Sequence, residues 1–218
     1  MPGKIGILLS GLGYDRGTQI LELPFIYREI ERSGGSPICL APRETVPVAG
    51  RGKILKPRDL LEECLPIARG DMTAVEDVDN KYLDALIIPG GKGPITVLSD
   101  TVDSGPDAHA VRSVREMIVG LHVRKKPIGT LGYGGALLMV ALKHSIEQPI
   151  ITMGEDTALI SSLSPLGIAP VNVGPQEVIH DSDNCIFSAA GISPGSSIAK
   201  GADAVECMTI SIMEHRGR

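Results

Sequence analysis

From Leu83 to Pro89 the chain reads Leu-Asp-Ala-Leu-Ile-Ile-Pro, a near-continuous apolar run of strand length that stops at Gly90-Gly91. A strand with so few polar positions has to be covered on both faces, which selects a central strand of a parallel sheet with helices on either side. The remainder of the chain supplies those layers. Apolar runs of strand length alternate with segments of helical period, the pattern of βαβ units in a doubly wound α/β domain.

Strands are expected at Lys4 to Ser10, Ser36 to Ala41, Leu83 to Pro89, the start of the stretch Lys126 to Leu138, and Ile150 to Met153. A hairpin is expected from Val178 to His180 and Cys185 to Ala189, joined by Asp181-Ser182-Asp183-Asn184. Helical segments fall at Thr18 to Ser33, Pro57 to Arg69, Ala108 to Arg124, after Gly132, at Glu155 to Leu166, and at Pro194 to Glu214. Thr18 is placed to cap the first helix, and Pro24 to kink it or restart it after Glu22. The long connection Pro42 to Lys56 has room for a small hairpin.

Composition narrows the partners. With 218 residues the chain suffices for one α/β domain, and with two Phe, four Tyr and no Trp its core must be aliphatic. A net charge of −5 leaves no basic footprint for nucleic acid or an anionic membrane surface. The run Arg124-Lys125-Lys126 lies where a helix should end, and the helix dipole accounts for it. No apolar run reaches the roughly 18 to 20 residues of a membrane span, and the immediate entry into a strand sets the expectation of no signal or transit peptide in the chain as given. Cys39, Cys64, Cys185 and Cys207 form no C-x-x-C pair, so buried reduced thiols in a cytoplasmic protein are expected rather than a metal site or a disulfide framework.

Ligands of open parallel sheets bind beyond the carboxyl ends of the strands. Three glycine-rich loops should meet there: Gly11 to Gly17, with Gly13 inside it, Gly90-Gly91-Lys92-Gly93, and Gly132 to Gly135. They form either a nest of backbone N–H groups or plain short turns. No G-x-G-x-x-G fingerprint results, so no dinucleotide cofactor is expected. In Lys126 to Leu138 a short strand runs through a sharp turn into a helix, the geometry that elsewhere lifts a nucleophile above a sheet, yet the apex residue is Gly132.

Charged and aromatic neighbours each carry two readings. Glu22 is an acid/base group if desolvated, or a carboxylate favoured by a helix dipole. Asp15 and Arg16 hold a polar ligand or are solvated; Lys92 attracts an anion, forms a Schiff base, or is solvated. Tyr133 caps the pocket or fills the space beside the apex. The five histidines, His109, His122, His144, His180 and His215, have no partner at diagnostic spacing.

Several blocks together resemble one family. Ile-Leu-Leu-Ser-Gly-Leu-Gly at Ile7 to Gly13, Arg58-Asp-Leu-Leu-Glu-Glu through Ala68-Arg69-Gly70, Asp84-Ala-Leu-Ile-Ile-Pro-Gly-Gly-Lys-Gly to Gly93, and Lys126-Pro-Ile-Gly are similar to the ElbB group, with weaker matches through Thr152-Met-Gly-Glu-Asp-Thr and the last hairpin. That group is named for enhancing lycopene biosynthesis, is also called glyoxalase-like, and lies in the ThiJ/PfpI branch of the class I glutamine amidotransferase-like superfamily. The resemblance implies a flavodoxin-like three-layer sandwich with a mostly parallel sheet, a homodimer, and a cysteine at the elbow beside a glutamate. By position the cysteine falls on Gly132, the glutamate on Glu22, and a second family glutamate on Gln19.

A glycine offers no thiolate and no covalent intermediate. The expectation is therefore a non-catalytic or altered ElbB-like protein that binds a small polar metabolite through Gly11, Gly13, Asp15, Gly90, Gly91, Lys92 and Tyr133, with no cofactor and no metal. The alternatives are a glyoxalase- or deglycase-type enzyme using Glu22 and water on small carbonyl compounds, and a structural or regulatory partner protein with a closed pocket.

Overall fold

The computed structural model describes residues 2–216 except 47, 48, 51, 52, 55, 56, 155, 168, 172 and 175. Its main sheet contains β1 (Lys4–Leu8), β2 (Ser36–Ala41), β3 (Met72–Ala74), β4 (Ala85–Ile88), β5 (Ile128–Leu131), β6 (Val178–Asp181) and β7 (Ile186–Ala189). They lie in the order β6-β7-β5-β4-β1-β2-β3, parallel throughout except for the β6/β7 hairpin. The apolar run that opens the argument is β4, between β1 and β5, and all four of its residues are buried. This is the mostly parallel, flavodoxin-like sandwich anticipated from the sequence.

The principal helices are α1 (Leu23–Arg32), α2 (Leu60–Cys64), α3 (Arg112–Val123), α4 (Gly134–Leu142), α5 (Thr157–Leu163) and α6 (Ile198–His215). In α3 the stripe Val114, Met117, Ile118 and Leu121 faces the core, as its 3.6-residue spacing requires. Every residue of α4 is buried, which explains why it carries no polar face. On the other side α6 lies directly on the sheet at Gly129, where a Cβ would stand 2.2 Å from the Ile212 side chain.

Element boundaries moved where hydrogen bonding overrode periodicity. Thr18 does not cap the first helix; its hydroxyl accepts the Ser10 N–H at 2.9 Å and ties the first loop to β1. Gln19 instead caps a single turn, Ile20–Glu22, and α1 restarts after it with Pro24 in its first turn. There the missing N–H of proline costs nothing.

The segment expected to run helically to Arg69 ends its α-helix at Cys64 and closes with one tighter turn, Leu65–Ile67, containing Pro66. The helix expected from Ala108 begins at Arg112, and the last helix begins after the Ser197 cap rather than at Pro194. Of the segment expected to be helical from Glu155, residue 155 is outside the described residues, and α5 starts after the Asp156 cap.

β3 is an unexpected edge strand, only three residues long and without alternation. Ile150–Ile151 lies outside the main sheet, paired with Ala169–Pro170. Within the connection Pro42 to Lys56, Thr45–Val46 pairs with Arg58–Asp59 and Ala49–Gly50 with Lys53–Ile54; the rest of that expectation falls partly on undescribed residues. Cys39 and Cys64 are buried, but Cys185 is half-buried and Cys207 exposed on α6, contrary to the expectation of buried thiols.

Candidate functional site

Because β1, β4, β5 and β7 are mutually parallel, their carboxyl ends open onto one edge. The loops leaving that edge enclose a cavity of about 230 Å³. Its wall includes Glu22, Gly90, Gly91, Gly132 and Tyr133, together with Tyr14, Met153, Gly154, Asp156, Ala190, Ile192 and Ser193.

Glu22 sits at the end of the turn before α1, and its side chain runs beneath the loop after β4. One carboxylate oxygen accepts the Gly90 N–H at 2.7 Å and the other the Ile192 N–H at 2.8 Å. Glu22 is 1% exposed. Loss of water from so buried a carboxyl pushes it up to about 7, against the pull of the two N–H donors. Glycine is required around it: a Cβ at Gly191, where φ is +71°, would come within 2.4 Å of its carboxylate, and one at Gly90 within 3.0 Å. Gln19 braces the same corner, its side-chain amide donating to the Ile192 carbonyl at 2.6 Å and its backbone N–H to the Gly90 carbonyl at 2.8 Å.

Gly132 follows β5 directly with φ +48°, the left-handed conformation of a sharp elbow. A Cβ built there meets one atom within 4 Å, the Ala190 carbonyl oxygen at 3.2 Å, and otherwise faces open space. The next residue, Tyr133, turns its hydroxyl to Asp156, 2.8 Å away. Burial raises the Tyr133 phenol above its usual range, and the bond to Asp156 adds to that. Asp156 also accepts the Leu159 N–H as the cap of α5. That N–H, more than the Tyr133 hydroxyl, holds its carboxyl below the usual range. Tyr14 leans toward Tyr133 with ring centroids 6.5 Å apart, and burial raises its phenol.

The other residues singled out from sequence do not line the cavity. Lys92 forms an ion pair with Asp15 at 3.0 Å, so each occupies the other at the rim. Gly11 and Gly13 have positive φ, and the Gly11 N–H is spent on the Cys64 sulfur at 3.2 Å, so they shape the first loop. The loop Ala190 to Ser193 was missed. β7 is parallel to β5, so the carboxyl-end rule applied to its apolar run would have pointed there. Asp156 falls inside the helix expected from Glu155 to Leu166; the structure makes it the cap of α5 and part of the cavity wall.

No family model matches the chain. It is 32% identical over 231 aligned positions to the mitochondrial ES1 protein homolog of Rattus norvegicus, covering 99% of this chain and 85% of that protein. Among solved structures, an isoprenoid biosynthesis protein with an amidotransferase-like domain from Ehrlichia chaffeensis superposes with a TM-score of 0.86 at 24% identity, over 97% of this chain and 99% of the other. Drosophila melanogaster DJ-1beta shares the fold more distantly, with a TM-score of 0.58 at 13% identity over 98% of this chain and 90% of the other. The sequence blocks, the strand-to-helix elbow and these relatives agree: the chain belongs to the ES1, or ElbB-like, group and has the fold of amidotransferase-like, ThiJ/PfpI and DJ-1 proteins.

Proposed function

We propose that this protein binds a small polar metabolite in the cavity beside Gly132 and does so without a covalent intermediate. The observation that carries this reading is the elbow itself: the backbone turns there, the cavity opens there, and the residue at φ +48° has no side chain to react. A nucleophile requires an ionisable atom at that point, and no cysteine is among the described residues that line the cavity. The same space is left for a ligand, with Glu22, Tyr14, Tyr133 and Asp156 in its wall. A volume of about 230 Å³, below the usual range of drug-sized pockets, suits a molecule of few heavy atoms. It also favours binding over a pocket closed by Tyr133.

A second reading has its own support. A buried carboxyl held near 7 is matched to proton transfer at neutral pH, so Glu22 with an activated water could act on a small carbonyl compound. Turnover separates the two. Purified protein is expected to leave methylglyoxal unconsumed, above the rate in buffer, at pH 7. Consumption that disappears in Glu22→Gln while the variant keeps its fold would replace the binding reading with the enzymatic one.

A further inference from the structure

The cavity's side-chain charge is one-sided. Among the described residues two carboxyl groups line it, Glu22 and Asp156, and no lysine, arginine or histidine does. Lys92 is outside the wall and matched by Asp15, so that pair leaves the balance unchanged. Asp156 is ionised at neutral pH because it accepts the Leu159 N–H and the Tyr133 hydroxyl. The opposing contribution is the N-terminus of α4, which begins just after the elbow and is equivalent to roughly half a positive charge. One full carboxylate and a partly ionised second one outweigh it.

The aromatic groups point the same way. The rings of Tyr14 and Tyr133 both border the cavity, and aromatic faces attract cations. The Lys92 ammonium already lies 5.8 Å from the centre of the Tyr14 ring.

We infer that the ligand of this cavity carries a positive charge, and that its chemical class is a small primary ammonium compound seated between Glu22, Asp156 and the two tyrosine rings. This rests on the binding reading above and adds the sign of the charge. The ammonium has three donors, and the carboxyl oxygens of Glu22 and Asp156 retain lone pairs beyond the N–H and O–H groups they already accept. In a volume equal to about seven or eight waters, the ligand carries a short, compact body.

A cation also reverses the pH behaviour expected of an anion. It binds best when Glu22 is ionised, so its affinity rises with pH through about 7. A carboxylate ligand would require Glu22 to be protonated, and its affinity would fall over the same interval. The other described ionisable groups of the wall do not change charge there: both phenols are raised, and Asp156 is lowered.

The test is a titration of the full chain with three probes of similar size, ethylammonium, acetate and acetamide, followed through backbone amide shifts of Gly132 and Gly154 at pH 6 and pH 8, at constant ionic strength. Ethylammonium is expected to shift both amides, and its dissociation constant to tighten up to about tenfold from pH 6 to pH 8 as the ionised fraction of Glu22 grows. In Glu22→Gln that pH dependence is expected to vanish. In Asp156→Asn, which keeps the helix cap, binding is expected to weaken about tenfold at both pH values. Shifts by acetate or acetamide without ethylammonium would overturn the assigned charge and leave the binding reading standing. If none of the three moves either amide, both are overturned.

Discussion

Gly132 holds φ at +48° and has an open path for a side chain except for the Ala190 carbonyl at 3.2 Å, so the penalty for any other residue there is mainly conformational. Gly132→Ala is expected to lower stability by about 1 to 2 kcal/mol, read as a fall in Tm with unchanged far-ultraviolet circular dichroism; no loss would mean that the elbow is not left-handed in solution. Glu22 makes a prediction of opposite character. Its carboxyl is raised from 4.5 to about 7 in the fold, so the folded protein holds a proton that the unfolded chain releases. Its contribution is most favourable below pH 4.5 and is lost as pH rises through 7, a change on the order of 3 kcal/mol. The difference in stability between wild type and Glu22→Gln should shift accordingly between pH 5 and pH 8 in urea melts. A pH-independent difference would return Glu22 to an ordinary carboxylate. The identities of both residues were legible in the sequence. The burial that raises Glu22 was not, because the segments packed over it, at Gly90 and Gly191, lie far along the chain.

Among the elements, the turn between β4 and the single helical turn Gly93–Thr96 determines how closely the first loop can approach. A Cβ on Gly91 would stand 2.2 Å from the Gly17 carbonyl oxygen, and one on Gly93 would stand 2.2 Å from the Ser10 hydroxyl. Both contacts are fixed on the partner side, since Gly17 offers backbone and Ser10 is buried within hydrogen-bonding distance of Thr18. Gly91→Ala is therefore expected to cost about 3 kcal/mol or more and to displace Gln19 from Gly90, measured as a loss of Tm larger than that of Gly132→Ala. Equal losses would show that the loops yield. Glycine-rich loops were apparent from sequence as either a nest or plain turns. Only the packed loops separate the roles: Gly91 is needed for approach of backbone to backbone, Gly13 for a turn with nothing beside it.

For the molecule as a whole, pH acts at two separate places with opposite sign. His180 on β6 stacks on Phe187 at 4.2 Å and meets the His215 ring of α6 edge-on at 4.9 Å. His180 is exposed at the surface, and partial loss of water first, with His215 second, lowers its imidazole from 6.5, while burial and Lys125 lower His122. A base lowered in the fold contributes stability that is complete above its unfolded value and is lost as pH falls below about 6.5. His180→Phe, which keeps an aromatic ring over Phe187, is expected to flatten the acid-side decline in Tm between pH 7 and pH 5; an unchanged slope would assign that decline elsewhere. The sequence by itself determined the layered architecture and the strand-to-helix elbow with glycine at its apex, because apolar periodicity and residue identity are local properties of the chain. The tertiary structure alone decided that Glu22 is buried, that Lys92 is taken up by Asp15, and that Asp156 and the loop after β7 complete the cavity. Desolvation and charge pairing depend on which distant segments a fold brings together, and no local pattern carries that information.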